Sequence, residues 1–334
     1  MRATHASETV ADTSTAQCAV EQARALCEAH LARLVSGSSD PTEPASLSLS
    51  EGAPSRTAPK LNCPEPLSAA IVHTLLGSSK RARAVLTLLT VHGFGVDQER
   101  ALSSAAALEM LHAASLILDD LPAMDDAQMR RGKPANHLAH GEDTAILASI
   151  GLINLAYHGV NADNGLTPDQ RSRISLILSQ AVGPSGLTGG QYDDLRSDKS
   201  AGEIARIEDI HLRKTALLFA ASTEIGAIVA RQDTHAEALR AFGEAIGLAF
   251  QAFDDLLDAA AQPEALGKDV GKDAAKATVI ELAGLEKAHA RGEAHMATAR
   301  KSLQTVPKPV ADTLLRYSRD LVDGMKANAS GDRR

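Results

Sequence analysis

Two stretches of this 334-residue chain place several acidic side chains close together, flanked by apolar residues. In the first, Asp119 and Asp120 are followed by Asp125, and then by Arg130 and Arg131. Carboxylates at this density repel one another unless a cation lies among them. Mg²⁺ prefers oxygen ligands and usually binds together with substrate phosphates, which a guanidinium also grips in a bidentate fork. The stretch therefore predicts a site for magnesium and phosphate.

The second acidic stretch lies on a segment, IGLAFQAFDDLLD, that is otherwise almost wholly apolar. Its carboxylates, Asp254, Asp255 and Asp258, form the pattern D-D-x-x-D. Residues four apart share a helix face, so Asp254 and Asp258 should point the same way. Carboxylates on a buried helix are costly without a partner. We therefore expect two acid-bearing helices that face each other across a metal-filled cavity.

With the segments between them, these motifs resemble the trans-isoprenyl diphosphate synthases, and especially the geranylgeranyl diphosphate synthases of bacterial carotenoid pathways. The matching segments are LHAASLILDDLPAMDD with RRG after it, GGQYDDL, HLRKT, IGLAFQAFDDLLD and LGKDVGKD, over residues 67 to about 284. The resemblance implies an all-α isoprenoid synthase fold, an antiparallel helical bundle around a central cavity. It also implies head-to-tail condensation of isopentenyl diphosphate with dimethylallyl, geranyl or farnesyl diphosphate to give geranylgeranyl diphosphate.

The resemblance gives the motifs separate roles. The aspartates of both acidic motifs would bind Mg²⁺, with three ions present when substrate is bound. The allylic diphosphate would contact Arg130, Gln191, Lys214, Thr215, Gln251 and Lys268. Of these, Lys214 and Lys268 would join the six aspartates in catalysis. Isopentenyl diphosphate would contact Lys80, Arg83, His112 and Arg131.

Several of these residues have an ordinary structural explanation as well. Taken alone, the basic run at 80–83 is typical of a solvated turn, Lys214 of a surface lysine and His112 of a hydrogen-bonded core histidine. The basic loop also departs from the family pattern G-G-K-R-x-R-P. Ser78 and Ser79 replace the two glycines and Ala84 replaces the proline. The path of this loop is left open by the sequence.

Product length in such enzymes should follow from the floor of the apolar tunnel, one to two helical turns before the first acidic motif. Ala114 and Ser115, which occupy these positions, are both small. Small side chains permit a twenty-carbon product, which predicts geranylgeranyl diphosphate. The alternatives are that Ala114 merely allows tight helix packing, or that the chain is a farnesyl diphosphate synthase.

Two rival functions share this fold. A terpene cyclase would also ionise prenyl diphosphates with Mg²⁺, but it would not need the four residues assigned to isopentenyl diphosphate. A non-catalytic subunit that modulates a partner synthase should have lost an acidic motif, and both motifs are intact. The prenyltransferase interpretation is therefore favoured.

Composition limits the other classes of function. The chain is 44% hydrophobic but only 2% aromatic, with no Trp, which favours helices packed through small residues. Its net charge of −8 argues against a nucleic-acid surface and against polybasic attachment to membranes. No apolar run looks long enough to span a bilayer. Three cysteines without zinc-type spacing favour a reducing compartment, so we expect a cytoplasmic protein, and the family suggests a homodimer.

Helical periodicity predicts the elements that carry these motifs. Residues 16–35 read as an amphipathic helix, and residues 102–118 as the helix leading to the first acidic motif. Thr167 followed by Pro168 is typical of a helix start, for a helix running to about Val182. We expect residues 1–66 to form an N-terminal helix plus a flexible Ser/Pro-rich loop. Residues 67–334 should form a single all-helical prenyltransferase domain, on which the N-terminal helix packs.

Overall fold

α-Helices make up almost all of the secondary structure in the residues described by this computed structural model, which are 4–36, 63–196, 204–260 and 279–329. The strands found there are two residues long each and pair into one antiparallel hairpin, β1 (Met129–Arg130) with β2 (Lys133–Pro134). The prediction of an all-α fold is therefore confirmed.

The chain divides into two compact units. The first unit comprises Met1–Val85 and Glu99–Gly165. Its helices are α1 (Thr4–Ser36), α2 (Glu65–Leu75), the first residues of α3 (Ala82–Gly93), α4 (Leu102–Asp119), α5 (Asn136–His140) and α6 (Glu142–Ala162). The hairpin also belongs to this unit.

α4 forms the core of the first unit. It is rich in Ala and Leu, residues of high helix propensity, and most of its side chains are buried. It packs most extensively on α6, and also contacts α1 and α2. α4 ends at Asp119, with Asp120 as its C-cap. The first acidic motif is thus fixed at the end of a buried helix.

The second unit comprises Leu86–Gln98 and Leu166–Arg334. Its helices are the remainder of α3 with α7 (Pro168–Val182), α8 (Leu187–Asp194), α9 (Ile204–His211), α10 (Leu217–Val229), α11 (Ala236–Ala260), α12 (Val279–Ala283), α13 (Leu285–Ser302) and α14 (Lys308–Ala329). α11 packs mainly on α10 and α13. A Cβ atom on Gly247 would lie 2.4 Å from the Cα atom of Ala216, so the contact requires glycine. Packing through small residues agrees with the composition.

Helix boundaries agree in part with the sequence analysis. α1 begins at Thr4, which is earlier than the predicted start at residue 16. α7 begins and ends where predicted. Its start is fixed by a capping box between Thr167 and Gln170. The expected loop at 36–66 lies largely outside the described residues. The expected domain division at residue 66 stays a prediction.

The expectation that no apolar run could span a bilayer is wrong by length and composition. Gln98–Asp119 and Glu142–Ala162 are both long and apolar enough. Such a pair is weak evidence for a membrane protein, since the core helices of soluble proteins pass the same test. Of the apolar window in the first, 72% is buried inside the protein, as in a core helix. Only 33% of the window in the second is buried, so α6 presents an apolar face.

Candidate active site

The loop after α4 folds back on the end of the helix and gathers the first acidic motif. The backbone N–H of Asp125 donates to the carbonyl oxygen of Asp119 at 2.9 Å, and that of Ala127 donates to Asp120 at 3.2 Å. Asp126 takes a positive φ of 49°, which turns the chain. The four residues between Asp120 and Asp125 therefore do not separate the carboxylates but bring Asp125 back beside the helix end.

Arg130 joins this acidic loop through the hairpin. Its Nε donates to Oδ1 of Asp120 at 3.0 Å, and its Nη2 donates to the same carboxylate, which is 2% exposed. Burial lowers the pKa of Arg130, but the hydrogen bond and charge of Asp120, with the charges of Asp119 and Asp125, outweigh it and raise this pKa. One guanidinium thus lies within the field of all three acids of the motif.

The acidic side chains of this loop are suitable ligands for a hard divalent cation. All three side chains offer carboxylate oxygens, the ligands that Mg²⁺ prefers. Within the described ranges no three His, Cys, Asp or Glu side chains are grouped closely enough to hold a metal ion alone. Mg²⁺ is commonly held by one or two carboxylates and completed by substrate phosphates and water. Asp119, Asp120 and Asp125 therefore suit an ion that arrives with a diphosphate.

The hairpin turn separates the two consecutive arginines of the RRG motif. Arg131 and Gly132 form the two-residue loop, with φ of 53° and 78°, as in a type I′ turn. Burial lowers the pKa of Arg131, and the charges acting on it after burial are, largest first, those of Glu109, Arg81, Arg130 and Asp120. Arg130 thus hydrogen-bonds to the acidic loop, whereas the largest electrostatic effects on Arg131 come from Glu109 and Arg81.

Arg131 also acts on His112, in a region of positive charge that includes Arg83. Burial lowers the pKa of His112 well below its usual value, and the positive charges of Arg83, Arg131, Arg130 and Arg81 lower it further. The imidazole is therefore neutral at neutral pH. Burial lowers the pKa of Arg83 to about 10, so this guanidinium stays protonated at pH 7. Lys80 lies exposed on the loop before α3. The four residues predicted to bind isopentenyl diphosphate include three that share one electrostatic environment.

In the second unit, a chain of hydrogen bonds links the K-T motif to the second acidic motif. The Thr215 hydroxyl donates to Oε1 of Gln251 at 2.9 Å, and Nε2 of Gln251 donates to Oδ1 of Asp255 at 3.0 Å. On the other side of this carboxylate, Nε2 of His211 lies 3.8 Å from Oδ2. Burial lowers the pKa of His211 to about 4, so it is neutral at pH 7. The Asp255 carboxylate is thereby held in one orientation.

Lys214 is held by the neighbouring helix α8. Its Nζ donates to Oδ2 of Asp194 at 2.7 Å, while the adjacent Arg213 pairs with Asp193 at the same distance. Lys214 lies in a π-helical turn, Leu212–Ala216, a distortion that is frequent at functional sites. A Cβ atom on Gly190 would lie 2.5 Å from the backbone nitrogen of Lys214. The glycines of GGQYDDL thus serve close contact between α8 and this turn.

The remaining predicted residues are placed as follows. Gln191 is buried on α8, and Asp254 is half-buried on α11. Ala114 is buried, and its carbonyl oxygen accepts a hydrogen bond from Ser149 at 3.0 Å. Ser115 donates to the carbonyl oxygen of His112 at 2.9 Å. The side chain of Asp258 and the whole of Lys268 lie outside the described residues.

Two residues in these environments were not singled out from the sequence. Glu109 lies three residues before His112 on α4 and is 2% exposed, so a charged residue on an apolar helix was the available signal. His211 opens the HLRKT segment, four residues before Thr215, and that helical spacing could have indicated a shared face.

Comparison with known proteins identifies the family of the chain. The sequence model of the polyprenyl synthetase family matches residues 64–311. Geranylgeranyl pyrophosphate synthase 11, chloroplastic, of Arabidopsis thaliana is 39% identical over 276 residues, which cover 80% of this chain and 74% of that protein. A geranylgeranyl pyrophosphate synthase of Capsicum annuum is 41% identical over 67% of this chain and 62% of its own.

Comparison with solved structures identifies the fold. A Zymomonas mobilis protein described as an FPP/GFPP synthase superposes with a TM-score of 0.75 at 30% identity, covering 92% of this chain and 99% of that chain. A geranyltransferase from Legionella pneumophila superposes with a TM-score of 0.74 at 29% identity, covering 94% and 99%. The fold is that of the isoprenoid synthases.

The chain belongs to the polyprenyl synthetase family, the trans-isoprenyl diphosphate synthases. It is a trans-prenyltransferase. The narrower likeness to bacterial carotenoid-pathway enzymes stays a prediction, because the similar sequences named above are plant proteins.

The depressed pKa of His112 predicts a pH-dependent stability. In the unfolded chain a histidine titrates near pH 6.5. Below that pH the unfolded state binds a proton that the folded state refuses, so the free energy of unfolding falls as the pH falls. This residue should contribute a slope of up to about 1.4 kcal/mol per pH unit. Urea unfolding at pH 7, 6 and 5 should therefore show a shallower fall for His112→Gln. If the free energy of unfolding falls equally with pH in the native protein and in His112→Gln, this prediction is wrong.

Proposed function

We propose that this chain condenses isopentenyl diphosphate with allylic diphosphates, in the presence of Mg²⁺, to make geranylgeranyl diphosphate. The observation that carries the proposal is the arrangement of charge around the RRG hairpin in the first unit. Arg130 pairs with an acidic loop suited to a metal-bound diphosphate. Arg131, one residue later, adds with Arg83, Arg130 and Arg81 to the positive charge around a neutral His112, and this charge suits a diphosphate held without metal. Two different diphosphate sites fit the two substrates of a prenyl transfer.

The acidic residues would hold the ions that accompany the allylic substrate. The ligands would come from Asp119, Asp120 and Asp125 and from Asp254, Asp255 and Asp258, with three ions when substrate is bound. Mg²⁺ held by these residues would offset the negative charge of the diphosphate, which is otherwise a poor leaving group. The chain's own cations, Arg130, Lys214 and Lys268, would add positive charge where negative charge develops.

The second substrate needs positioning rather than activation. Lys80, Arg83 and Arg131 would hold the diphosphate of isopentenyl diphosphate, so that its double bond meets the allylic cation, a proximity effect. The neutral His112 can donate a hydrogen bond without adding a charge. No side chain has to act as a nucleophile. Released diphosphate would accept the proton lost from the product.

In this proposal, Lys214 already forms an ion pair before substrate binds. Its ammonium group is paired with Asp194 at 2.7 Å. To bind the allylic diphosphate, it would exchange or share this carboxylate, which is half-buried. Thr215, Gln251 and Asp255 form one hydrogen-bonded chain, so a substrate oxygen contacted by Thr215 would be linked to the second acidic motif.

Purified protein incubated with isopentenyl diphosphate, one allylic diphosphate and Mg²⁺ should release, after phosphatase treatment, a linear twenty-carbon alcohol. Chelator should abolish turnover, because the diphosphate then leaves without a counter-charge. Asp119→Asn should lower kcat by at least about 100-fold, the scale of one lost electrostatic contact in a transition state. A cyclic hydrocarbon would indicate a terpene cyclase, and no product would indicate a non-catalytic subunit.

Chain length supplies a sharper test, because the Zymomonas mobilis neighbour is described as an FPP/GFPP synthase rather than a geranylgeranyl diphosphate synthase. Ala114 is buried where α4 meets Ser149 of α6. Ala114→Phe adds a ring at the proposed tunnel floor and should shift the product toward farnesyl diphosphate. Ala114→Ser is the control, since it adds one atom and should keep the twenty-carbon product. An unchanged product from Ala114→Phe would remove this residue as the determinant.

We propose a homodimer assembled through α5 and α6. Four large apolar side chains of these helices are 40–54% exposed on the first unit: Leu138, Ile146, Leu147 and Ile150. Large apolar side chains exposed on two helices that are in contact favour an interaction site. Sedimentation velocity should give a dimer for the native chain and a monomer for Leu147→Glu with Ile150→Glu. Leu285→Glu, at another exposed apolar position, should stay dimeric. A dimeric double variant would exclude this face.

The expected cytoplasmic location stays a prediction.

A further inference from the structure

Glu109 is a buried carboxylate in the first unit to which the roles above assign nothing. It is 2% exposed and lies on α4 among apolar neighbours. An ionised carboxylate in such a place costs several kcal/mol unless it is paired and hydrogen-bonded. The partners of Glu109 therefore indicate the role of its charge.

Two partners of Glu109 lie where the basic loop meets α3: Arg81, at the end of the loop, and Ala84, in the first turn of the helix. Its Oε1 accepts a hydrogen bond from the backbone N–H of Ala84 at 3.2 Å, and its Oε2 lies 3.5 Å from Nη1 of Arg81. Arg81 is itself 4% exposed, and its Nη2 donates to the carbonyl oxygen of Gly77 at 3.2 Å. Its Nε also lies 4.0 Å from Oε1 of Glu28 on α1, so the Arg81 guanidinium is held by three groups of the protein.

The contact with Ala84 caps α3 from a neighbouring helix. α3 begins at Ala82, so the N–H of Ala84 is one of the first donors of the helix and has no partner within it. A carboxylate beside a helix N-terminus also interacts favourably with the helix dipole. Glu109 therefore holds the first turn of α3, the turn that carries Arg83.

The departures of this chain from the family pattern supply the groups that make these contacts. Proline, which the family pattern has at position 84, lacks an N–H and could not donate to Glu109. Ser79, in place of glycine, accepts a hydrogen bond from the backbone N–H of Arg81 at 3.3 Å through its hydroxyl. Arg81 has a positive φ of 51°, which is uncommon for a residue with a side chain. Ser79 and Glu109 together hold it there.

We propose that Glu109 is a positioning residue for the isopentenyl diphosphate site, acting through Arg81 and the Ala84 N–H to hold Lys80 and Arg83 in place. This inference rests on the proposed function. Arg81 is the anchor of the loop, and Lys80 and Arg83 are the residues that it presents. The serine and alanine substitutions replace a glycine–proline loop by one held through hydrogen bonds.

Because Glu109 is negatively charged, the direction in which its removal changes anion binding separates two explanations of its role. Arg83 and Arg131 both experience its field, which raises their pKa values against the effect of burial. If Glu109 acted only as a nearby negative charge, its removal would leave the site more positive and tighten binding of an anion. If it positions the loop, its removal weakens binding. Glu109→Gln keeps the size of the side chain and removes the charge.

The test is calorimetric titration of the full chain with isopentenyl diphosphate in the absence of metal, together with steady-state kinetics. We expect Glu109→Gln to raise both the Kd and the KM for isopentenyl diphosphate about 10-fold, equivalent to about 1.4 kcal/mol. The KM for the allylic substrate and the kcat should change less than about 2-fold, or about 0.4 kcal/mol. Equal or tighter binding by the variant would overturn the proposal.

Ala84→Pro tests the same inference with every charge retained. It removes one N–H that has no helical partner, so the helix itself loses no hydrogen bond. Ala84→Gly keeps the N–H and is the matched control. We expect the Kd for isopentenyl diphosphate to rise in Ala84→Pro and to stay near native in Ala84→Gly. Equal values in the two variants would overturn the role of this contact.

The outcome for the native chain separates the two proposals. Native protein that neither binds isopentenyl diphosphate nor turns it over contradicts the proposed function itself. Native binding that is unaffected by Glu109→Gln and Ala84→Pro leaves that function standing and removes Glu109 from the site. Circular dichroism and the Tm of each variant identify any variant that fails to fold. If Glu109→Gln does not fold, the binding measured for Ala84→Pro decides whether Glu109 positions the loop.

Discussion

The placement of charge inside helical units is the constraint on which the site depends. A buried ion must find a counter-ion and hydrogen bonds, or it destabilises the fold by several kcal/mol. The protein meets this requirement with local pairs: Arg130 with Asp120, Arg81 with Glu109, and Lys214 with Asp194. Each pair joins two elements of one unit. The same contacts that neutralise charge therefore also fix where loops leave helices, and so where the charged side chains of the candidate site lie.

Histidines complement these pairs by remaining uncharged. His112 and His211 both lie beside charged partners, and burial keeps each of them neutral at pH 7. His112 adds no further charge to a region already rich in arginine. His211 lies beside Asp255 without neutralising it. The acidic motif therefore keeps its negative charge at pH 7, and the basic region gains no further positive charge from His112.

Much of the fold follows from local sequence, and the parts that do not are those set by distant contacts. Apolar periodicity was enough for α4, and the capping box at Thr167 defined the start of α7. The hairpin that separates Arg130 from Arg131 was not foreseen, because strands of two residues have no period to read. The π-helical turn at Lys214 depends on packing against Gly190 of α8, a contact between segments remote in sequence.

The candidate site shows the same division. The acidic residues and RRG were evident from residue type and spacing alone. The closing of Asp125 onto Asp119 was not, since it requires backbone hydrogen bonds within an irregular loop. Glu109 escaped notice because a single acid on an apolar helix has no motif. Its meaning depends on Arg81 and Ala84, which reach it only once α3 and α4 are packed.

The two-residue turn at Arg131–Gly132 has a consequence for how this region can change over evolutionary time. Both of its residues have positive φ, so its shape tolerates few sequences and no change of length. Inserting or deleting one residue would shift the pairing of Met129–Arg130 with Lys133–Pro134 and reverse which side chain faces which neighbour. The two adjacent guanidinium groups would then exchange surroundings. A change of length in this hairpin therefore cannot move one guanidinium group without moving the other, so the pair must be inherited as a unit.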